Sequence, residues 1–167
     1  MDTQHFIGHQ VGETARYLQM FFINELKTYQ LSFEQGIILL MVSENPHTCI
    51  SQIAKGLNKN KATISREVNS LVKKGFCIKN QTSHNQRTLS LTLTASGKKA
   101  VSYMKEKIKK TEELLRAQCS QEEIDICFDI LHRIRLTLQS SFKKQKLTGG
   151  GQILFLHKAT PKTIASR

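Results

Sequence analysis

The sequence predicts a mainly α-helical chain with one small β element of two to three strands. Three observations predict it. Apolar residues recur at spacings of three and four over long stretches near both ends of the 167-residue chain, the mark of amphipathic helices. Between those stretches the pattern shortens to two brief helices and then changes to the strict alternation of a half-buried strand. The same central segment is basic: residues 45 to 94 carry eight Lys or Arg against one acid, Glu67. Together these describe a helix-turn-helix followed by a β wing, flanked by long helices.

The first helix is expected within residues 5 to 29, where Phe6, Val11, Tyr17, Leu18, Phe21, Phe22, Leu26 and Tyr29 form a stripe too wide for one small domain to cover. Ser32 opens a capping box with Gln35, in which each side chain satisfies the other residue's backbone N–H. The helix that follows, about Phe33 to Val42, is nearly all apolar and is expected at the centre of the core. Asn45-Pro46 ends it, because proline disfavours helical backbone in the residue before it. A short helix over about Ser51 to Leu57 turns Ile50, Ile53, Ala54 and Leu57 inward.

After Asn58-Lys59-Asn60, another helix runs from Lys61 to about Lys74 and is closed by Gly75. Ile64, Val68, Leu71 and Val72 fall on one side of it, and Ala62, Arg66, Asn69 and Lys73 on the other. Phe76 to Lys79 and Leu89 to Leu93 read as strands, with polar residues 80 to 88 as the wing between them. Thr94 caps a long helix reaching about Ala117, and Ser120 with Glu123 forms a second capping box. The last helix carries Ile124, Cys127, Phe128, Leu131, Ile134, Leu138 and Phe142 at helical spacing. A small winged domain cannot bury that stripe alone, so it is expected to meet the first helix and the equivalent helices of a second copy in a homodimer.

These boundaries divide the chain into a dimerisation helix (1–30), a winged helix-turn-helix (31–94), two further dimerisation helices (95–142) and a basic, flexible tail (143–167). The tail holds six bases and no acid, a Gly149-Gly150-Gly151 run and the apolar tetrad Ile153-Leu154-Phe155-Leu156. Its triple glycine lacks the strand and helix that a phosphate-binding loop requires.

Residues 45 to 94 hold a net +7 of the chain's +12. Such clustering is the footprint of a surface that neutralises phosphates and releases counterions, although a solvated basic face would give the same count. No stretch approaches the ~20 apolar residues that span a bilayer, and Met1 is followed by polar and acidic residues. A cytoplasmic location without membrane contact is therefore expected. Cys49, Cys77, Cys119 and Cys127 show no metal-binding spacing and are expected as free thiols. His5 and His9 lie one helical turn apart without a visible third ligand, so no metal is assigned. No nucleophile is matched with a base and an orienting acid. Glu112-Glu113 and Glu122-Glu123 belong at helix ends, where the dipole accounts for acids at a helix start. Neither enzymatic activity nor a cofactor is expected.

The order of elements, long helices on both sides of a winged helix, resembles the MarR family of transcription regulators over about residues 5 to 142. Asn60-Lys61-Ala62-Thr63-Ile64-Ser65-Arg66 is similar to the start of that family's recognition helix. Arg87, then Leu91-Thr92-Leu93-Thr94 and a helix containing Gly97, is similar to its wing and the helix after it. The resemblance implies double-stranded DNA as partner and a homodimer, acting as a repressor on a pseudo-palindromic operator. A recognition helix enters the major groove by its N-terminal end. There Ala62, Thr63 and Ser65 suit close approach to base edges, and Arg66 suits paired hydrogen bonds to guanine. Lys55, Lys61 and Lys73 suit phosphates.

Arg87 is similar to the family's minor-groove arginine, but Asn85 stands where that family carries an acid, which removes a charged partner for the arginine. In the family that the chain resembles, small anionic or aromatic effectors often bind between the dimer helices and the winged helix. Arg16 and Tyr17 are the candidate residues here. Two other readings compete: a winged helix serving as a protein-interaction module, and a regulator switched by a thiol, with Cys49 and Cys119 the better placed.

Overall fold

The computed structural model describes residues 5–82 and 85–147, with side chains for 5–81 and 89–142. The glycine run, the apolar tetrad and His84 lie outside the described residues. The elements follow the order α1 (Ile7–Leu26), α2 (Phe33–Glu44), α3 (Ile50–Gly56), α4 (Lys61–Lys73), β1 (Cys77–Thr82), β2 (Asn85–Leu93), α5 (Ala95–Arg116) and α6 (Gln121–Leu147). None of the described helices is long and apolar enough to cross a membrane.

The chain divides into two compact units, one running to Leu114 and the other starting at Leu115. In the first, α2 is the centre, as its composition predicts: Ile38 and Leu39 are fully buried and Val42 nearly so. Around it close Ile53 and Ala54 of α3, Ile64, Val68 and Leu71 of α4, Cys77 of β1 and Leu91 of β2. Leu26 from the end of α1 and Ala100, Val101 and Met104 from α5 join the same core. Tyr29 stands edge-on to both Phe76 and Tyr103, with ring centroids 6.2 and 5.5 Å away. Both flanking helices thus share the core of the winged helix, although the sequence divides them from it at residues 30 and 95.

Helix ends behave as their chemistry dictates. Ser32 and Gln35 make the reciprocal capping box at α2, and Ser120 and Glu123 make another at α6. Asn60 caps α4 by accepting the Thr63 N–H at 2.7 Å. After α4 the chain reverses through Gly75 at φ +77, in the left-handed region that glycine enters without strain. The first helix stops sooner than its apolar stripe suggests. It gives way after Leu26 to a 3₁₀ turn over Lys27–Tyr29, followed by Gln30 in the left-handed conformation.

The wing also differs from its sequence reading. The strands are longer than the apolar residues alone mark: β1 continues to Thr82 and β2 starts at Asn85, paired antiparallel from Cys77↔Leu93 to Thr82↔Asn85 with a register break after Gln81. Polar residues that read as turn extend the ladder, because backbone pairing does not depend on the side chain. Asn80 adds a cross-strand bond to Thr92 at 2.8 Å. The third strand is reduced to a single bridge between Cys49 and Ser90.

In α1 the side chains of Ile7, Val11, Tyr17, Leu18, Met20 and Phe21 are exposed. In the second unit, α6 likewise exposes Ile126, Phe128, Leu131, Leu138 and Phe142. An apolar stripe of this extent on a helix marks a surface for another chain or element.

Candidate nucleic-acid interface

The first turn of α4 is presented by the loop before it. Asn58, in the left-handed conformation at φ 50, turns the chain out of α3, and its neighbour Lys59 donates its N–H back to the Ala54 carbonyl at 2.9 Å. Asn60 then caps the helix, so α4 begins with its N-terminal amides toward solvent. Lys61, Ala62 and Arg66 are exposed, and Thr63 and Ser65 are half-buried. Arg66 leans toward Thr63, its Nη2 3.4 Å from the threonine hydroxyl. Burial of Ile64, Val68 and Leu71 on the opposite side sets this orientation. Ala62, Arg66, Asn69 and Lys73 therefore share one open arc, as their spacing requires.

The basic residues divide into two groups. Lys55, Lys59, Lys61 and Lys73 are exposed around α3 and α4. Lys79 of β1 joins them, its ammonium hydrogen-bonded to Asn69 Oδ1 on the open arc. By sequence Lys79 is the end of a strand and one of the segment's bases, with no contact assigned to it. The usable signal was its position two residues after Cys77, which places both on the strand face that meets α4. Lys74 is committed elsewhere: its ammonium donates to the Gln30 carbonyl and to Gln35 Oε1. The segment's lone acid, Glu67, also points inward and accepts from Gln35 at 3.0 Å. The open arc itself carries no carboxylate.

Asn85 and Arg87 lie in the first half of β2, which places their backbone in the wing; their side chains are outside the described residues. Arg16 and Tyr17 sit on an exposed stretch of α1. Arg16 pairs with Glu13 at 3.4 Å and lies over the Tyr17 ring at 5.7 Å. An apolar cavity of about 110 Å³ opens further along, among Phe22, Leu26, Phe33, Ile37, Met104 and Ile108. At its edge Lys107 and Tyr103 both donate to Glu25, each at 2.9 Å. These two bonds, Lys107's first, hold the Glu25 carboxyl below its usual range.

No group of three or more His, Cys, Asp or Glu is placed to hold a metal among the described residues. His9 instead approaches Glu13 at 4.0 Å. The thiols are all free and differ sharply in setting. Burial pushes the Cys77 thiol up to about 11, so it stays protonated and unreactive near neutral pH. For Cys49, burial raises the thiol, but bonds from the Ser51 side chain and from the backbone at Gln52 and Ser51 outweigh it and leave the thiol below its ordinary value. Cys119 and Cys127 are exposed. Alkylation of the native protein near neutral pH is expected to label Cys119 readily, and Cys77 only after denaturant is added. Equal labelling of Cys77 in the native state would contradict its burial.

The profile described as transcriptional regulator SarA/Rot matches residues 21–104 of this chain. The Bacillus subtilis HTH-type transcriptional regulator YybA is 24% identical over 140 residues, covering 84% of this chain and 93% of that protein. Among solved structures, a MarR family regulator from Listeria monocytogenes complexed with a 26mer DNA superposes with TM-score 0.76 at 22% identity, covering 89% of this chain and 98% of that one. The S. aureus MepR–DNA complex gives TM-score 0.74 at 21% identity, covering 80% and 98%. These relatives are named as transcriptional regulators. The matched profile spans the end of α1, α2 to α4, the wing and the start of α5, the segment whose core and open arc are described above. The chain belongs to the SarA/Rot family of transcriptional regulators and has the winged-helix fold of MarR proteins.

Proposed function

We propose that this protein binds double-stranded DNA as a homodimer, reads a pseudo-palindromic operator, and represses transcription in the cytoplasm by occluding a promoter. The observation that carries this reading is the open arc of α4: exposed, free of carboxylates and ringed by lysines, on a helix whose other face is locked in the core. Protein-interface cores favour aromatics, and the arc has none. Ala62, Thr63, Ser65 and Arg66 are assigned to base edges, Lys55, Lys61 and Lys73 to phosphates, and the wing residues Arg87 and Asn85 to the minor groove. The complexes of the Listeria regulator and MepR with DNA support the assignment by fold.

Residues 31–94 act as the DNA-binding unit. Residues 1–30 and 95–142 supply dimerisation through the exposed apolar stripes of α1 and α6, and 143–167 form a basic tail. In such a dimer the two recognition helices lie about one DNA turn, ~34–36 Å, apart. A small aromatic or anionic effector would release DNA by preferring the conformation that cannot bind it. Arg16 and Tyr17 are its candidate residues, with the apolar cavity beside Phe22 a second location.

The test is binding to DNA from upstream of the protein's own gene, with random-sequence competitor and at two salt concentrations. A complex of dimer size that survives competitor is the expected result. Binding lost to competitor would reduce the charge to non-specific attraction and favour the protein-interaction reading. Loss of binding after mild peroxide, with a thiol consumed, would favour a cysteine switch.

A further inference from the structure

Gln35 is 6% exposed and sits where the first turn of α2 meets the flank of α4. Its amide uses every hydrogen-bonding position it has. Oε1 accepts from the Ser32 backbone N–H at 3.3 Å and from Lys74 Nζ at 2.9 Å. Nε2 donates to Glu67 Oε2 at 3.0 Å and to Ser70 Oγ at 3.1 Å. Glu67, Ser70 and the C-cap residue Lys74 follow one another at spacings of three and four, forming a stripe along α4 and its C-terminal end beside the open arc. Lys74 also donates to the carbonyl of Gln30, the left-handed residue just beyond α1.

The apolar contacts of Ile64, Val68 and Leu71 hold α4 on the core, but such contacts are non-directional. They set which face of α4 turns inward, but they resist a small rotation about the helix axis less than they resist separation. Directional bonds from a buried amide resist rotation. A helix with its side chains has a radius of roughly 5–6 Å, so a turn of roughly 20° would move a side-chain tip by about 2 Å. That exceeds the tolerance of a paired hydrogen bond.

We propose that Gln35 is a positioning residue for DNA recognition: its amide fixes the rotation of α4 on α2 and, through Lys74, links that rotation to the end of α1. The proposal rests on the reading of α4 as the DNA-contacting helix. It separates two functions within one basic segment. Lys55, Lys61 and Lys73 supply affinity, while Lys74 and Glu67, bound to Gln35, supply aim.

The experiment compares the operator and random-sequence affinities of full-length Gln35→Met with wild type, at two salt concentrations and alongside thermal unfolding. Methionine keeps the length and loses all four bonds. Operator affinity is expected to fall on the order of tenfold, the loss of about one net hydrogen bond. Random-sequence affinity and the salt slope stay as in wild type, so the specificity ratio falls by the same factor. A general loss of stability would weaken both kinds of binding together.

A second variant keeps the proposal testable should Gln35→Met fail to fold. Gln35→Glu sets two carboxylates against each other and is expected to lower the ratio. Adding Glu67→Gln exchanges amide and carboxylate and is expected to restore it. A folded Gln35→Met protein with a wild-type ratio, or an exchange that restores nothing, overturns the proposal. Wild-type protein with no operator preference would overturn the DNA reading itself and this inference with it. A wild-type preference with an unchanged variant ratio removes only the role of Gln35.

Discussion

Gly97→Ala is expected to destabilise the first unit by about 2–3 kcal/mol, a net figure in which overpacking outweighs a gain in helix propensity. Gly97 lies in the first turn of α5, where alanine would ordinarily favour the helix by ~1 kcal/mol. Here a Cβ would stand 2.1 Å from the Phe76 carbonyl oxygen and 3.1 Å from its carbon. The carbonyl has little freedom to retreat, because it also accepts the Thr94 N–H at 3.1 Å. Thr94 in turn donates its hydroxyl to the Gly75 carbonyl and caps α5 by accepting the Gly97 N–H at 3.0 Å. One junction therefore binds the end of α4, the base of the wing and the start of α5, and a methyl group there meets backbone. Urea unfolding of Gly97→Ala beside Ser96→Ala, a change at an exposed neighbour, gives the comparison. Ser96→Ala is expected to stay within ~0.5 kcal/mol of wild type. A Gly97→Ala protein as stable as wild type would mean that the approach of α5 to Phe76 is looser than the geometry states.

Arg66→Ala is expected to relax specificity at one base pair per half-site, removing ~1–3 kcal/mol of discrimination while leaving affinity for random DNA nearly unchanged. The reason is its placement: exposed, near the N-terminal end of α4, on an arc with no carboxylate to hold it. Its one described contact is the 3.4 Å approach to Thr63, a bond too long to compete with a guanine edge. Lys73, two turns further along the same arc, is expected to behave differently. Lys73→Ala should weaken all sequences alike and flatten the salt slope by about one unit, the release of one counterion. Affinities for a selected operator and for single-base variants of it, at several salt concentrations, distinguish the two. The same loss of specificity from both variants would defeat the division into reading and phosphate-contacting residues.

Much of the fold was legible because it rests on local periodicity. Ile64, Val68 and Leu71 are buried and Ala62, Arg66, Asn69 and Lys73 exposed, as the 3.6-residue period demands. Ser32-Gln35 and Ser120-Glu123 form their boxes as written. The wing was less legible, since Asn80, Gln81 and Asn85 have the composition of a turn while their backbone continues the ladder. The end of α1 was less legible still, because its apolar stripe runs on to Tyr29 although the helix does not. Charge misled in one respect: Lys74 counts toward the basic segment, yet its ammonium is spent on Gln30 and Gln35.

From the order of residues alone follow the winged-helix class, the buried centre at α2, the open arc of α4, and the surplus of apolar surface on α1 and α6. The class rests on the order of elements, and the others on spacing within a single element, where neighbours in sequence are neighbours in space. Folding in three dimensions settled the rest: Lys79 beside Asn69, Gln35 bound to Glu67 and Ser70, Gly97 against Phe76, and the short reach of the third strand. Those contacts join residues 10 to 41 positions apart. No local pattern specifies which side chain will stand opposite, because that depends on how separate helices and strands pack once their apolar faces close on one core.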